Sequence, residues 1–282
     1  MSSAWSSPEF SGKSGKRSFR LRTPLMPAAG FLGYGRAYAG IIEPGRFGAI
    51  VTQPTTLRAY AGQTPRFARL RAAFLRGFPP PNPGVEAVLR EFAPSWRRWQ
   101  VPIIVAIFAE TVEDAVALAE RLEREESVAA LELQVPASAG EEWLREILEA
   151  LVACTDLPVL AKLPLASAAS LAAVAIAHGP AGLVIGTPHV GYAPAQAVSG
   201  PLYGPATLPY TLEALHTAVA ALGPDLPLIA SGGIYAREDV ETCLSLGAAA
   251  VQIDGLIFLD PAGVAQMARE FSPDGRASSA SV

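Results

Sequence analysis

The chain has 282 residues, half of them hydrophobic and only 17% charged, with a net charge of −4 and two cysteines. That composition supports a large core and excludes general disorder. The acidic balance argues against a nucleic-acid binder, and two cysteines build neither a disulfide framework nor a cysteine-rich zinc site.

In chain order, residues 1–18 read as a Ser/Gly/Lys-rich mobile tail, and they lack the apolar core of a secretory signal. A buried strand is expected at 25–29, a short helical piece at 36–42 and a second strand at 49–52. A long connection, 53–83, leads into a helix at 84–98. Strands at 102–108, 130–135 and 158–163 then alternate with helices at 111–125, 140–153 and 167–178. Thr111 with Asp114 resembles a capping box, and Ser167, Asp225 and Asp260 sit at plausible helix boundaries. After the strand at 182–187 comes a second long connection, 188–208. The last units are a helix at 208–222, a strand at 227–231, a helix at 236–246, a strand at 249–253 and a helix at 261–271. Residues 272–282 read as a second mobile tail.

The apolar runs have the length and Val/Ile/Leu content of strands buried on both faces. Eight such runs, each followed by a helix or helical piece, give the order of a (β/α)8 TIM barrel, α/β in class, forming one domain over 19–271. A doubly wound open sheet is the alternative. No apolar stretch approaches a bilayer span; residues 171–177 soon meet His178, Gly179 and Pro180. No membrane or nucleic-acid partner is expected, and a reducing cytoplasm is the simplest compartment.

Both long connections leave the C-terminal ends of strands, where barrel enzymes keep their active sites. Lys162 ends the fifth strand in the apolar sequence PVLAKLP. Of 22 basic residues only Lys13, Lys16 and Lys162 are lysines, so it is the one lysine inside the expected domain. Lysines are rarely buried without a partner. If strand alternation turns Lys162 inward, it is a fixed cation suited to an anionic cofactor edge or a phosphate. Ser231-Gly232-Gly233 ends the seventh strand and Asp254-Gly255 the eighth, the usual phosphate position of these barrels. Asp254 opposes that use, because a carboxylate repels a phosphate. Glu132 lies inside the fourth strand and is either a satisfied barrel carboxylate or a site group. His189 can reach the mouth from the sixth loop, whereas His178 and His216 read as surface residues. Cys154 and Cys243 read as small core residues, and Trp96 with Trp99 as helix packing.

The segments TPLMPAAGFLGYG, GAIVTQPTT, PPPNPGVEAVL, ALELQVPAS and PVLAKLP, and then GLVIGT, GPLYGPATLP, PLIASGGIYAREDV and GAAAVQIDG, keep the order and spacing of a known family. Over about residues 21–271 the chain resembles the dihydroorotate dehydrogenases. The resemblance implies a (β/α)8 barrel with FMN at its C-terminal face, oxidising dihydroorotate. It implies that Ala28, Ala29 and Gly30 pack on the flavin and that Lys162 lies at its N1/O2 edge. Thr187, Gly204, Gly232, Gly233 and Gly255 match further cofactor positions. Gln53 replaces a family lysine, and Asp254-Gly255 replaces the usual Gly-Thr turn.

The substrate half departs further. The family's base, a Cys or Ser in the strand-4 loop, is replaced by Ala137 in Gln134-Val135-Pro136-Ala137-Ser138-Ala139. A one-residue shift offers Ser138 as the base, and Gln134 matches a substrate-binding position. A substrate-binding asparagine is replaced by Arg76, Asn82 is kept, and the asparagine ending the sixth strand is Gly186. Losing a positioned base costs ~10²–10⁴-fold in rate. The expectation is therefore a dihydroorotate dehydrogenase-like, FMN-dependent oxidoreductase with a different small-molecule substrate. Arg76 is then placed to pair with a substrate carboxylate, and Tyr192, Tyr203 or His189 to donate a proton. A true dihydroorotate dehydrogenase using Ser138, and a barrel that has lost FMN, are the alternatives. A homodimer is compatible with the sequence, no metal is expected, and the two cysteines cannot ligate an iron–sulfur cluster alone.

Overall fold

The computed structural model describes residues 5–62, 67–77, 80–223 and 226–272. A hairpin, β1 (Glu9–Ser11) and β2 (Ser18–Arg20), comes first. The barrel starts with β3 (Leu25–Pro27) and β4 (Ile50–Val51). An excursion follows, β5 (Phe67–Arg69) and β6 (Phe74–Arg76), then α1 (Val85–Trp96), β7 (Ile103–Ile107) and α2 (Val112–Glu123). Next come β8 (Val128–Gln134), α3 (Glu141–Cys154), β9 (Val159–Pro164), α4 (Ala168–Ala177) and β10 (Gly182–Thr187). A second excursion, β11 (Val190–Ala193) and β12 (Val198–Tyr203), precedes α5 (Leu208–Leu222) and β13 (Leu228–Ser231). The chain closes with α6 (Arg237–Ser245), β14 (Ala250–Ile253), α7 (Leu256–Leu259) and α8 (Pro261–Phe271).

Eight parallel strands pair in the order β3-β14-β13-β10-β9-β8-β7-β4. The Gly48 N–H donates to the Leu25 carbonyl at 2.8 Å, joining the β4 end to the β3 end. Glycine is needed there, because a Cβ at 48 would collide with the Thr23 carbonyl. The architecture is a (β/α)8 barrel, as the eight apolar runs require. Thr111 caps α2 by accepting the Asp114 N–H, and Asp260 caps α8 through the Gly263 N–H. The Ser167 side chain makes no cap bond.

Three features differ from the sequence reading. Residues 36–42 form turns rather than a helix: Gly35, Tyr38 and Gly40 all have positive φ, which breaks helical progression. The stretch expected as an N-terminal tail, 1–18, carries β1 and the turn into β2, and its Phe10 is fully buried and stacks on Phe19 at 4.9 Å. Both rings pack with Met26, Ile104, Leu160, Val184, Ile229 and Ala250 and so stop one end of the barrel. The two long connections, expected singly at the C-terminal ends of their strands, form one unit. They pair as a four-stranded sheet, β11-β12-β6-β5, with Tyr203 opposite Phe74 and Leu202 opposite Leu75. Asp225 and residues 273–282 lie outside the described residues. No helix among the described residues is long and apolar enough to cross a membrane.

Candidate active site

Side chains alternate along each barrel strand, so the residues two and four beyond Ala130, Leu160 and Ala250 share their inward face. The polar ones among them are Glu132, Gln134, Lys162, Gln252 and Asp254. Hydrogen bonds between strands that are not neighbours confirm the direction. The Lys162 ammonium on β9 donates to Gln252 Oε1 on β14 at 2.8 Å and to Ser231 Oγ on β13 at 3.1 Å. The Gln252 amide in turn donates to Glu132 Oε2 on β8, and Gln134 Nε2 donates to Glu132 Oε1 at 2.6 Å. Glu132 and Gln252 are completely buried, and Lys162 is 6% exposed. Burial pulls the Lys162 pKa down, while Glu132 and Asp254 pull it back up. Glu132 is thus a partnered barrel carboxylate, and its charge reaches Lys162 through Gln252. A buried cation held this way is tolerable only with that counter-charge.

Beside Lys162 the ends of β13 and β14 form a glycine turn pair. Gly232 and Gly233 have φ of 116° and 73°, conformations that let successive N–H groups face one concavity. Thr211 on α5 fixes this turn by donating to the Gly232 carbonyl at 3.0 Å. The Asp254 carboxylate turns back into the concavity. Its Oδ1 accepts the Gly255 N–H at 2.5 Å, and the N–H groups of Gly233 and Asp254 also stabilise the charge. Among the described residues its Oδ2 is buried without a partner, as is the Tyr235 hydroxyl. Burial pushes the Asp254 carboxyl up to about 6, against the pull of those N–H groups and of Lys162.

The excursion sheet supplies the outer wall. The Tyr203 ring lies edge-on to Phe31 at 4.9 Å and stacks on Phe74 at 5.3 Å, and Phe31 meets Phe258 at 4.7 Å. Arg76, at the end of β6, lies over the Phe31 and Phe258 rings and donates to the Gly30 carbonyl at 2.8 Å. Among the described residues it has no ion pair with a carboxylate. Burial lowers its pKa, while Tyr203 raises it. Burial raises the Tyr203 phenol, so that side chain keeps its proton.

The expected residues separate into those brought together and those not. Lys162, Gln134, Gly232, Gly233 and Gly255 surround one end of the barrel interior. Ala28 is buried and donates its N–H to Ile253, and Ala29 is half-buried beside it. Gly30 has φ of 86° and leads into the turn under Arg76. Thr187 is buried at the end of β10, where the register with β9 shifts. Gln53 instead turns its amide to the Pro81 carbonyl at 2.6 Å. Gly204 packs against Ala72 and Ala73, close enough that a Cβ would fall 2.8 Å from the Ala72 carbonyl. Ser138 is exposed in the turn between β8 and α3. His189 is exposed, its ring 5.1 Å from Tyr210, and Tyr192 is exposed too. Gln252, Thr211 and Tyr235 are site groups that the sequence reading missed. For Gln252 a signal existed: a polar residue at an inward strand position two before Asp254.

The dihydroorotate dehydrogenase family model matches residues 16–273. The chain belongs to that family. It is 33% identical over 262 residues to the catalytic subunit of dihydroorotate dehydrogenase B (NAD(+)) from Anoxybacillus flavithermus, covering 86% of this chain and 83% of that one. It is 30% identical over 276 residues to the corresponding subunit from Desulforudis audaxviator, covering 89% and 88%. The crystal structure of the Eimeria tenella enzyme in complex with ferulenol superposes with a TM-score of 0.77 at 18% identity, covering 93% of this chain and 83% of that one. That likeness bears on the fold, which is the same barrel.

The family is FMN-dependent, and the residues here fit that group unequally along its length. A buried cation, Lys162, on the barrel's inward face would suit its ring end. The glycine concavity would suit its phosphate end, with two buried polar atoms beside it that have no partner among the described residues. The one group out of place is the Asp254 carboxylate.

Proposed function

We propose that this chain is an FMN-dependent oxidoreductase of the dihydroorotate dehydrogenase type that acts on a CH–CH bond of an anionic small molecule other than dihydroorotate. The observation that carries the family chemistry is Lys162, a buried cation held by Ser231 and Gln252 at the barrel's inner end. Oxidation of a CH–CH bond releases a hydride and a proton, and bound FMN supplies the hydride acceptor. Lys162 stabilises negative charge at the cofactor edge, and Glu132 with Gln252 fixes the ammonium in place.

Arg76 supports an anionic substrate. It is a largely buried guanidinium lying over two adjacent aromatic rings, with no carboxylate partner among the described residues. Such a group favours an incoming carboxylate. The change of substrate is supported by the strand-4 loop. Ala137 stands at the family's base position and cannot take a proton. Ser138 is exposed, and an unassisted serine is a poor base. Tyr203 retains its proton, so it can donate one only in the reverse, reducing direction. In the oxidation the hydride goes to the flavin and the C–H proton passes to solvent water, with no side-chain base between them.

The test is anaerobic. Protein loaded with FMN is mixed with dihydroorotate and the flavin absorbance followed, beside a panel of small saturated mono- and dicarboxylates. The expected result is no bleaching by dihydroorotate above the buffer rate. Rapid bleaching by dihydroorotate that Ser138→Ala abolishes would instead support an ordinary dihydroorotate dehydrogenase with a displaced base. The identity to relatives of that name is the observation in favour of this second reading.

A further inference from the structure

The concavity at the ends of β13 and β14 is an anion site by construction. Gly232 and Gly233 open it with positive φ, and the Gly255 N–H points into it. Several of its donors are nevertheless already used by the chain itself. Asp239 Oδ2 accepts the N–H groups of Tyr235 and Ala236, each at 2.8 Å, at the start of α6. The Asp254 carboxylate takes the Gly255 N–H and faces those of Gly233 and its own residue. Asp254 is only 1% exposed, and its second oxygen has no partner among the described residues and lies 4.0 Å from where a Cβ on Gly232 would be. The Tyr235 hydroxyl, also buried and unpartnered, fills the space that a Cβ on Gly255 would need, and the Phe74 ring lies against the same point.

We propose that Asp254 is an internal anion that occupies the phosphate concavity and competes with the flavin phosphate, so that this chain selects its flavin by the ring and not by the phosphate. The proposal rests on the flavin reading of the site, but its test separates the two. A phosphate and the ionised Asp254 cannot share these N–H groups, because two anions at hydrogen-bond separation repel. Binding FMN therefore requires the carboxylate to leave the concavity or to take up a proton. Three other ionisable groups face it: Lys162 from β9, Tyr203 from β12 and Tyr235 from the turn after β13. Only Lys162 carries a charge that favours the carboxylate. Protonation of Asp254 at lower pH would relieve the repulsion and convert it into a donor to phosphate.

The experiment compares FMN with riboflavin, which lacks the phosphate. Both are titrated into the wild-type chain, Asp254→Gly and Asp254→Asn, with flavin fluorescence as the readout. The wild type should bind the two flavins within about threefold of each other at pH 8. Asp254→Gly should favour FMN over riboflavin by about 10- to 100-fold, the usual worth of charge-assisted hydrogen bonds. Asp254→Asn keeps the side-chain volume and guards against a folding defect in the glycine variant. It should show a smaller preference of the same sign. A wild type that already prefers FMN by tenfold or more, or folded variants with an unchanged ratio, would overturn the proposal. If no protein binds either flavin, the cofactor reading fails, and inorganic phosphate then decides. Phosphate-31 line broadening by Asp254→Gly but not by the wild type supports the internal anion, and equal behaviour of the two rejects it.

Discussion

Replacing Asp254 by Asn should make the protein more stable at neutral pH and leave it nearly unchanged at pH 4. The buried carboxyl titrates at about 6 in the folded chain and at 3.8 without its surroundings. The folded state therefore holds the proton more tightly than the unfolded state. The stability linked to this proton is complete below about pH 4 and is lost as pH rises through about 6. The difference of about two pH units corresponds to about 3 kcal/mol. Asparagine keeps an oxygen for the Gly255 N–H and does not titrate, so the variant avoids that loss. Urea unfolding of both proteins from pH 4 to pH 8 measures it directly. The gap between the two stability curves should widen by about 3 kcal/mol over that range. Parallel curves would show that Asp254 is solvated or paired, and the account of the concavity would fall with them.

Further substitutions probe the rest of the site. Lys162→Met should cost about 3–5 kcal/mol, because it leaves the buried Glu132 carboxyl without its cation; a double variant with Glu132→Leu should recover much of that in thermal melts. Gly200→Ala should weaken the excursion sheet, because a Cβ at 200 would collide with the Arg76 carbonyl. A loss of about 1–3 kcal/mol is expected by urea unfolding, together with poorer binding of carboxylate substrates as Arg76 shifts. Ser138→Ala removes an exposed hydroxyl and should change stability by less than about 0.5 kcal/mol in the same assay.

The barrel was legible because its strands are buried on both faces and read as continuous apolar runs. Residues 182–187 show this well, since the apolar run and the observed strand coincide. Lys162 was legible because it interrupts such a run. The excursion strands were not, because they are short and gain their stability from pairing between segments far apart in sequence. The pairing of Phe74 with Tyr203 spans both long connections, and no local signal announces it. The hairpin at the barrel's closed end was hidden for a similar reason. Phe10 and Phe19 are single aromatics in a polar stretch, and only the barrel end they cover makes them core residues. Turns 36–42 were misread because Tyr38, at φ of 60°, adopts a backbone conformation that its residue type rarely favours. The conflict at Asp254 was visible in the sequence. How its carboxylate uses the turn's own N–H groups required the structure.

A flavin is expected to bind at the barrel end where Lys162 lies. The most direct test is a difference absorption titration of riboflavin with the wild-type chain and with Lys162→Met. A saturable spectral change at one flavin per wild-type chain is expected, and a weakened or altered one for the variant. No spectral change with the wild type, or the same change in both proteins, would contradict it.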